Sequence, residues 1–282
     1  MPPKLPDFGP TQRLQKEYEK YIKQIVARAT PPKEPEQTFE QWLAAIAARS
    51  QEQDIQEASD FLARKMVHWV NVRNAQTWRQ AAARSQHSRK LYNLLQKEMQ
   101  GVTGARVSAL VRENAALISS LPLQCALKLN DEILRAQQAG ARPGTISKMM
   151  KARFPALLKS RTNLISRTET AKASTALTKA RCEYLGIDFY IWESSKDVRT
   201  RDSHLNMHGV LVPWHQAPSP ELLIGEPSQG NYHAGEIYNC RCTELAVLEL
   251  DDISWPRRVY WNGAITMMTK PEFLRQVAPR AA

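Results

Sequence analysis

From Asp54 to Met99 the sequence reads "DIQEASDFLARKMVHWVNVRNAQTWRQAAARSQHSRKLYNLLQKEM", without a glycine or a proline. Ala, Leu, Gln, Arg and Lys dominate it, and these residues give up little on entering a helix. So long a stretch without breakers predicts helix and sets the class of its surroundings. Ahead of it, "TFEQWLAAIAARSQEQ" places Thr38 three residues before Gln41, the spacing of a capping box. Behind it, Gly101 and Gly104 interrupt the pattern. "SALVRENAALISSLP" and "LQCALKLNDEILRAQQAG" then read as two further helices, the second stopped by Gly140. "TISKMMKARF", a break at Pro155, and "LLKSRTNLISRTETAKASTALTKARCEYLG" continue the helical pattern to Gly186. Within the last of these, Ala171, Ala173, Ser174 and Ala176 are small enough to let another element approach closely.

The character changes at Ile187. "IDFYIWESS" is β-branched and aromatic and predicts a strand, "GVLVPW" a second, and "YNCRCTELAVLEL" contains a third. "HQAPSPELLIGEPSQGN" carries the proline and glycine of an exposed loop. The expected class is α+β: a long, mainly helical N-terminal body followed by a small mixed C-terminal unit with short antiparallel strands and extended arms. Residues 1–37 read as an arm with one amphipathic helix capped by Thr11, 38–186 as the helical body, and 187–250 as the small unit. Residues 251–282 have aromatics without clear periodicity and read as a C-terminal arm.

The chain is 282 residues long and 43% apolar, enough for one large or two ordinary cores. It has no run of about 18 apolar residues, so no membrane-spanning helix is expected. Its N-terminus lacks the apolar centre of a signal peptide, so synthesis and use without crossing a membrane by the secretory route are expected. Of the net charge of +11, +10 comes from Ile133–Arg181, where eleven Lys and Arg face the single acid Glu169. Such a segment suits a polyanion. Lys148, Lys151, Arg153, Lys159 and Arg161 are the candidate DNA-facing residues. With no sequence-reading motif present, their contacts would be to backbone phosphates and salt-sensitive. The same pattern also fits a solvated helical surface.

Four of the six histidines and two of the four cysteines lie between Arg201 and Cys242: His204 and His208 in "RDSHLNMHG", His215, and His233 with both cysteines in "NYHAGEIYNCRC". Cys125 and Cys182, in apolar helical contexts, read as plain buried thiols. His68 and His87 read as packed or surface residues of helices. His204, His233, Cys240 and Cys242 make four candidate ligands for zinc, with His208 and His215 in reserve. The spacing is not that of a zinc finger, but in an extended strand Cys240 and Cys242 point to one face and can meet one ion. The alternative is two cysteines packed in a small core with His204 hydrogen-bonded nearby. A hydrolytic reading uses His204 as general base, with Asp197, Arg199, Arg201 and Asp202 beside it, as in a metal-dependent nuclease. "HLNMH" lacks the glutamate of the metalloprotease pattern, and no G-x-S-x-G, P-loop or G-x-G-x-x-G occurs.

The order of the motifs carries a resemblance. "LISRTETAKA" is followed by Trp192, then by "DVRTRDSHLNMHG", a proline-rich loop and "NCRC". "ENAALISSLP" and "GARPGTISKMMKARF" stand upstream. This arrangement, over roughly 113–250, resembles the phage Mu F-like minor head protein family of head morphogenesis proteins. The family's marked positions fall on Arg167, Glu169, Asp197, Arg199, Arg201, His204, Gly209, Asn239, Cys240 and Cys242. Arg167 and Glu169 are then expected to pair with Asp197 and with Arg199 or Arg201. Where the family often has His-Pro before Asn-Cys-Arg-Cys, this chain has Ile237 and Tyr238, and the nearest histidine is His233. The resemblance implies a non-enzymatic component of the virion, at the capsid interior or portal vertex. It would be assembled in host cytoplasm, touch the portal protein, the major capsid protein and packaged double-stranded DNA, and have no membrane contact. It makes no cofactor certain, and zinc stays a candidate from the His/Cys cluster.

Overall fold

The computed structural model describes residues 7–84 and 93–277. His87 lies outside them. The helices are α1 (Gln12–Arg28), α2 (Phe39–Gln51), α3 (Gln53–Arg84), α4 (Val102–Gln138), α5 (Pro143–Leu185), α6 (Asp202–Met207) and α7 (Lys270–Gln276). The strands are β1 (Phe189–Glu193), β2 (Leu211–Pro213), β3 (Thr243–Ala246), β4 (Arg257–Trp261) and β5 (Ala264–Met268). The class is α+β, a long helical body followed by a small mixed sheet with a short helix. No helix among the described residues is long and apolar enough to cross a membrane.

The caps are where the sequence puts them. Thr11 Oγ1 accepts the backbone N–H of Leu14 at the start of α1. Thr38 and Gln41 form the full reciprocal box at the start of α2. Gly140 and Gly186 end α4 and α5 with positive φ, +81° and +69°, the left-handed turn that spares glycine a Cβ clash.

Two expected breaks are absent: Pro122 lies inside α4 and Pro155 inside α5. A proline within a helix costs about 3 kcal/mol. Leu121, Cys125 and Ala126 flank the first and Phe154 and Leu157 the second, all buried. Each large apolar side chain among them returns about 1.5–3 kcal/mol, so packing on both sides carries the helix through.

The chain forms two compact units. One comprises 11–68 and 109–169; the other comprises 1–10, 69–108 and 170–282. The first is all-helical. Leu14, Tyr18, Ile22 and Ile25 of α1 are buried in it, with Tyr18 Oη donating to Asn114 Oδ1 at 3.1 Å and Trp42 edge-on to Phe154 at 4.9 Å. α1 is therefore a packed helix of this unit.

The second unit is built on a five-stranded sheet of order β3-β1-β2-β4-β5. β1 pairs antiparallel with β2 and β3, β2 runs parallel to β4, and β4 and β5 form a hairpin. The sheet is therefore mixed. Residues 251–277 do not form an extended arm: within them, β4, β5 and α7 complete the fold. Alternation along β1 explains its unbroken burial. Tyr190 and Trp192 face a core with Phe8, Trp78, Cys182 and Trp214, whereas Phe189 and Ile191 face a second with Val259, Met268, Phe273 and Val277.

On α5, Arg181 is fully buried. It grips both oxygens of Glu98 (2.5 and 2.9 Å) and donates to Asn74 Oδ1 (2.5 Å) and Asn71 Oδ1 (2.6 Å). One cation of the basic segment is thus a core residue. Further up the helix, the small side chains admit close neighbours. Ser174 Oγ donates to the Phe8 carbonyl, and a Cβ on Gly235 would lie 2.4 Å from Thr175 Oγ1.

A candidate His-Cys-Cys centre and the clamp around it

Asp197 opens a tight turn. Its Oδ1 accepts the Arg199 backbone N–H (3.0 Å) and the Thr200 hydroxyl (3.3 Å), while its carbonyl takes Thr200 N–H at 2.9 Å. This local bonding, the usual habit of aspartate, delivers the chain to the N-cap Arg201 and into α6. Three residues of 197–204 then reach one short segment, 238–242. Asp197 takes Arg241 through both carboxylate oxygens, Nη2 to Oδ1 at 2.5 Å and Nη1 to Oδ2. Arg201 donates to the Tyr238 carbonyl at 3.0 Å, its guanidinium 4.7 Å above the Tyr238 ring. His204 Nδ1 stands 3.5 Å from Cys240 Sγ and 3.3 Å from Cys242 Sγ.

The "NCRC" segment lies just before β3 rather than in it. Asn239 turns left-handed (φ +54°), and Cys240 N–H closes onto the Ile237 carbonyl at 3.1 Å. The turn aims Cys240 and Cys242 to one side and Arg241 to the other, the alternation expected of an extended strand. Both sulfurs are buried, as is His204.

The other ring nitrogen of His204 fixes its tautomer. Tyr232 Oη donates to Glu221 Oε1 at 2.5 Å, and the Ser203 hydroxyl donates to the same oxygen at 3.3 Å. With its proton given to Glu221, the Tyr232 oxygen accepts from His204 Nε2–H at 3.1 Å. The Nδ1 lone pair therefore faces the two sulfurs. Cys240 is held well below the usual thiol range by the Cys242 S–H donating to it. Cys242 is pushed up by Cys240 and by burial. The Trp192 indole N–H is buried without an oxygen or nitrogen partner among the described residues and favours the charged form of Cys242.

His233 lies elsewhere. Its Nδ1 is 3.1 Å from Tyr190 Oη and its ring is edge-on to Trp214 at 5.1 Å. Burial pushes its pKa down to about 3. The three-residue group of candidate ligands is His204, Cys240 and Cys242, their donor atoms within 4.8 Å of one another; His233 is not in it. His208 sits 3.5 Å from Glu193 Oε2, and His215 packs on Trp261. Gly209 has φ +76° and donates its N–H to the Trp192 carbonyl at 2.8 Å. Arg167, exposed, and Glu169, buried, are carried by α5 in the all-helical unit. Tyr232 and Glu221, which orient His204, have no local sequence signature; only the burial of a Tyr beside a His in "NYHAG" hints at the first.

Lys148, Lys151, Arg153, Lys159 and Arg161 are all exposed on α5. Arg153 is bidentate to Glu132 at 2.8 and 3.1 Å, so its charge is locally compensated.

Residues 127–245 match the model of the family described as Phage Mu protein F like protein. A Haemophilus influenzae (strain ATCC 51907 / DSM 11121 / KW20 / Rd) protein, described as an uncharacterized protein, is 31% identical over 147 residues. That alignment covers 51% of this chain and 30% of the relative, so the chain spans under a third of that protein's length. No solved structure matches. The matched residues run from α4 to β3 and contain the Asp197–His204 turn and its partners at 238–242, and over them the chain is similar to the Phage Mu protein F like family.

Proposed function

We propose that this protein is a minor head protein of a tailed phage, acting in head morphogenesis and in DNA packaging or ejection from the portal vertex or capsid interior. The observation that carries the reading is the clamp: the charged and histidine residues of 197–204 engage 238–242 rather than an open cleft. A group acting as general base has to reach a substrate proton. His204 is 2% exposed, with one nitrogen on Tyr232 and the other on two sulfurs. This supports a structural role over a nuclease using Asp197 and His204. Similarity to that family over residues 127–245 supports association with other head components, here proposed as the portal protein and the major capsid protein. The exposed Lys148, Lys151, Lys159 and Arg161 supply non-specific phosphate contacts to packaged DNA.

Quantitative mass spectrometry of purified, DNA-filled particles tests this. The expected result is a few to tens of copies per particle. Absence from particles while the protein is abundant in infected cells, together with DNA cleavage lost on adding a chelator, would overturn it.

A further inference from the structure

We propose that His204 Nδ1, Cys240 Sγ and Cys242 Sγ form a buried binding site for a zinc-class divalent cation, which ties α6 to the segment leading into β3. The geometry matches the ion's needs. Zn–S bonds of about 2.3 Å and Zn–N bonds of about 2.05 Å at tetrahedral angles require N···S separations of about 3.6 Å; those here are 3.5 and 3.3 Å. The chemistry matches too, because a soft thiolate pair with one neutral imidazole is a zinc donor set.

Two further observations point to a ligand. The His204 nitrogen opposite the sulfurs is bonded to Tyr232 and, through it, to Glu221, the outer-shell arrangement that fixes a metal-binding histidine in its ligating tautomer. Glu221 is 1% exposed, and among the described residues its second oxygen has no hydrogen-bond partner and its carboxylate no salt-bridge partner. A buried carboxylate without a cation is costly, and a divalent ion on the sulfurs, linked to it through His204 and Tyr232, offsets it. Second, Trp192 Nε1, also fully buried and without an oxygen or nitrogen partner among the described residues, is the N–H donor that a metal-bound thiolate accepts. Three protein ligands leave one position of the tetrahedron for water or a partner's side chain.

This inference rests on the cluster alone and stands or falls independently of the phage-head reading. The full-length protein, purified under reducing conditions without added metal, is measured by elemental mass spectrometry, then unfolded, stripped and refolded with Co²⁺. The expected result is about one zinc per chain, and for the cobalt form a thiolate-to-cobalt charge-transfer band with the intense visible absorption of tetrahedral cobalt. Both are lost in H204A and C240S and kept in H233Q. Background metal in wild type with no cobalt band would overturn the proposal. So would a mass 2 Da low under native conditions with peptide mapping placing a disulfide between Cys240 and Cys242. Because both decisive readings are made on wild type, a variant that fails to fold does not obscure the answer.

Discussion

Arg241 stands between two cysteines in sequence, yet its guanidinium faces away from them and grips both carboxylate oxygens of Asp197, 44 residues earlier. The pair holds the turn before α6 against the segment before β3. Arg241 keeps the Asp197 carboxyl well below the usual range, as does the Arg199 backbone N–H. A carboxyl depressed in the folded state contributes stability that is present above its unfolded value of 3.8 and lost as pH falls through the folded value. D197N and R241A are each expected to lower the melting temperature by a few degrees at pH 7. The double variant should fall no further than the worse single one, since both remove one interaction. Additive losses in the four thermal melts would show that the two residues act separately.

Two buried groups in this unit titrate in opposite senses. Burial raises Glu244 to about 8. The Thr175 hydroxyl already donates to the Ala234 carbonyl at 2.7 Å, so a protonated Glu244 donates to Thr175 Oγ1 at 3.2 Å. A raised pKa gives stability present below the unfolded value of 4.5 and lost as pH rises through about 8. His233, lowered from 6.5 to about 3, gives stability present above 6.5 and lost as pH falls through about 3. Denaturant melts across pH should therefore show a maximum between these slopes. E244Q keeps the neutral donor and should remove the alkaline fall, and H233Q should remove the acid one. An E244Q profile that still falls between pH 6.5 and 8 would contradict the assignment.

Gly235 combines φ +84° with a Cβ position 2.4 Å from Thr175 Oγ1. G235A is expected to cost about 1–3 kcal/mol, as residues forced into a sparse backbone region do. Gly209, also at positive φ but with open space around it, should lose only the conformational part on substitution by alanine. Equal losses for the two, measured by urea unfolding, would mean that the close approach to α5 is immaterial.

R181M removes the cation from a buried pair and strands Glu98. A loss of about 3–5 kcal/mol is expected, with much of it recovered in R181M/E98L. A double variant as unstable as the single would show that the two asparagines, not Glu98, carry the effect.

The basic helix makes a prediction of its own. Lys148, Lys151 and Lys159 share one face of α5 by their spacing, with Arg161 exposed nearby. Replacing these four by alanine should flatten the plot of log affinity for duplex DNA against log salt by about 0.9 for each phosphate left without its cation. Arg153 is tied to Glu132, so R153A should change the slope least. An unchanged slope in the quadruple variant would remove α5 as the DNA-binding face.

The legible parts of the fold are those with local causes. Thr11, Thr38, Gly140 and Gly186 mark helix ends by chemistry confined to a few residues, and the three aromatic, β-branched runs form β1, β2 and β3. The prolines mislead because tertiary burial around Leu121 and Phe154 outweighs a local penalty. The β4–β5 hairpin carries a readable signal inside the stretch expected to be an arm: Asn262 and Gly263, both at positive φ, between two β-rich runs. At the site, the Cys-x-Cys spacing correctly puts both sulfurs on one side. Proximity in sequence favours His233 as a ligand, whereas its neighbour Tyr232 is the residue that reaches His204. Only the path of the loop decides which of two adjacent side chains turns inward.

The sheet unit also has a history in time. Its defining contacts join residues far apart along the chain: Phe8 to Ser174, Asn71 to Arg181, His204 to Cys242, Leu211 to Val259. Closing such long loops is entropically slow. On the ribosome, Phe189, Ile191 and Leu211 lack the cover of Val259, Met268, Phe273 and Val277 until β4, β5 and α7 have been made. At about 5–20 residues per second, the growing chain carries an unfinished hydrophobic sheet for seconds. A stop in synthesis shortly after β3 would leave that apolar face of the sheet without its cover, an aggregation-prone half-sheet.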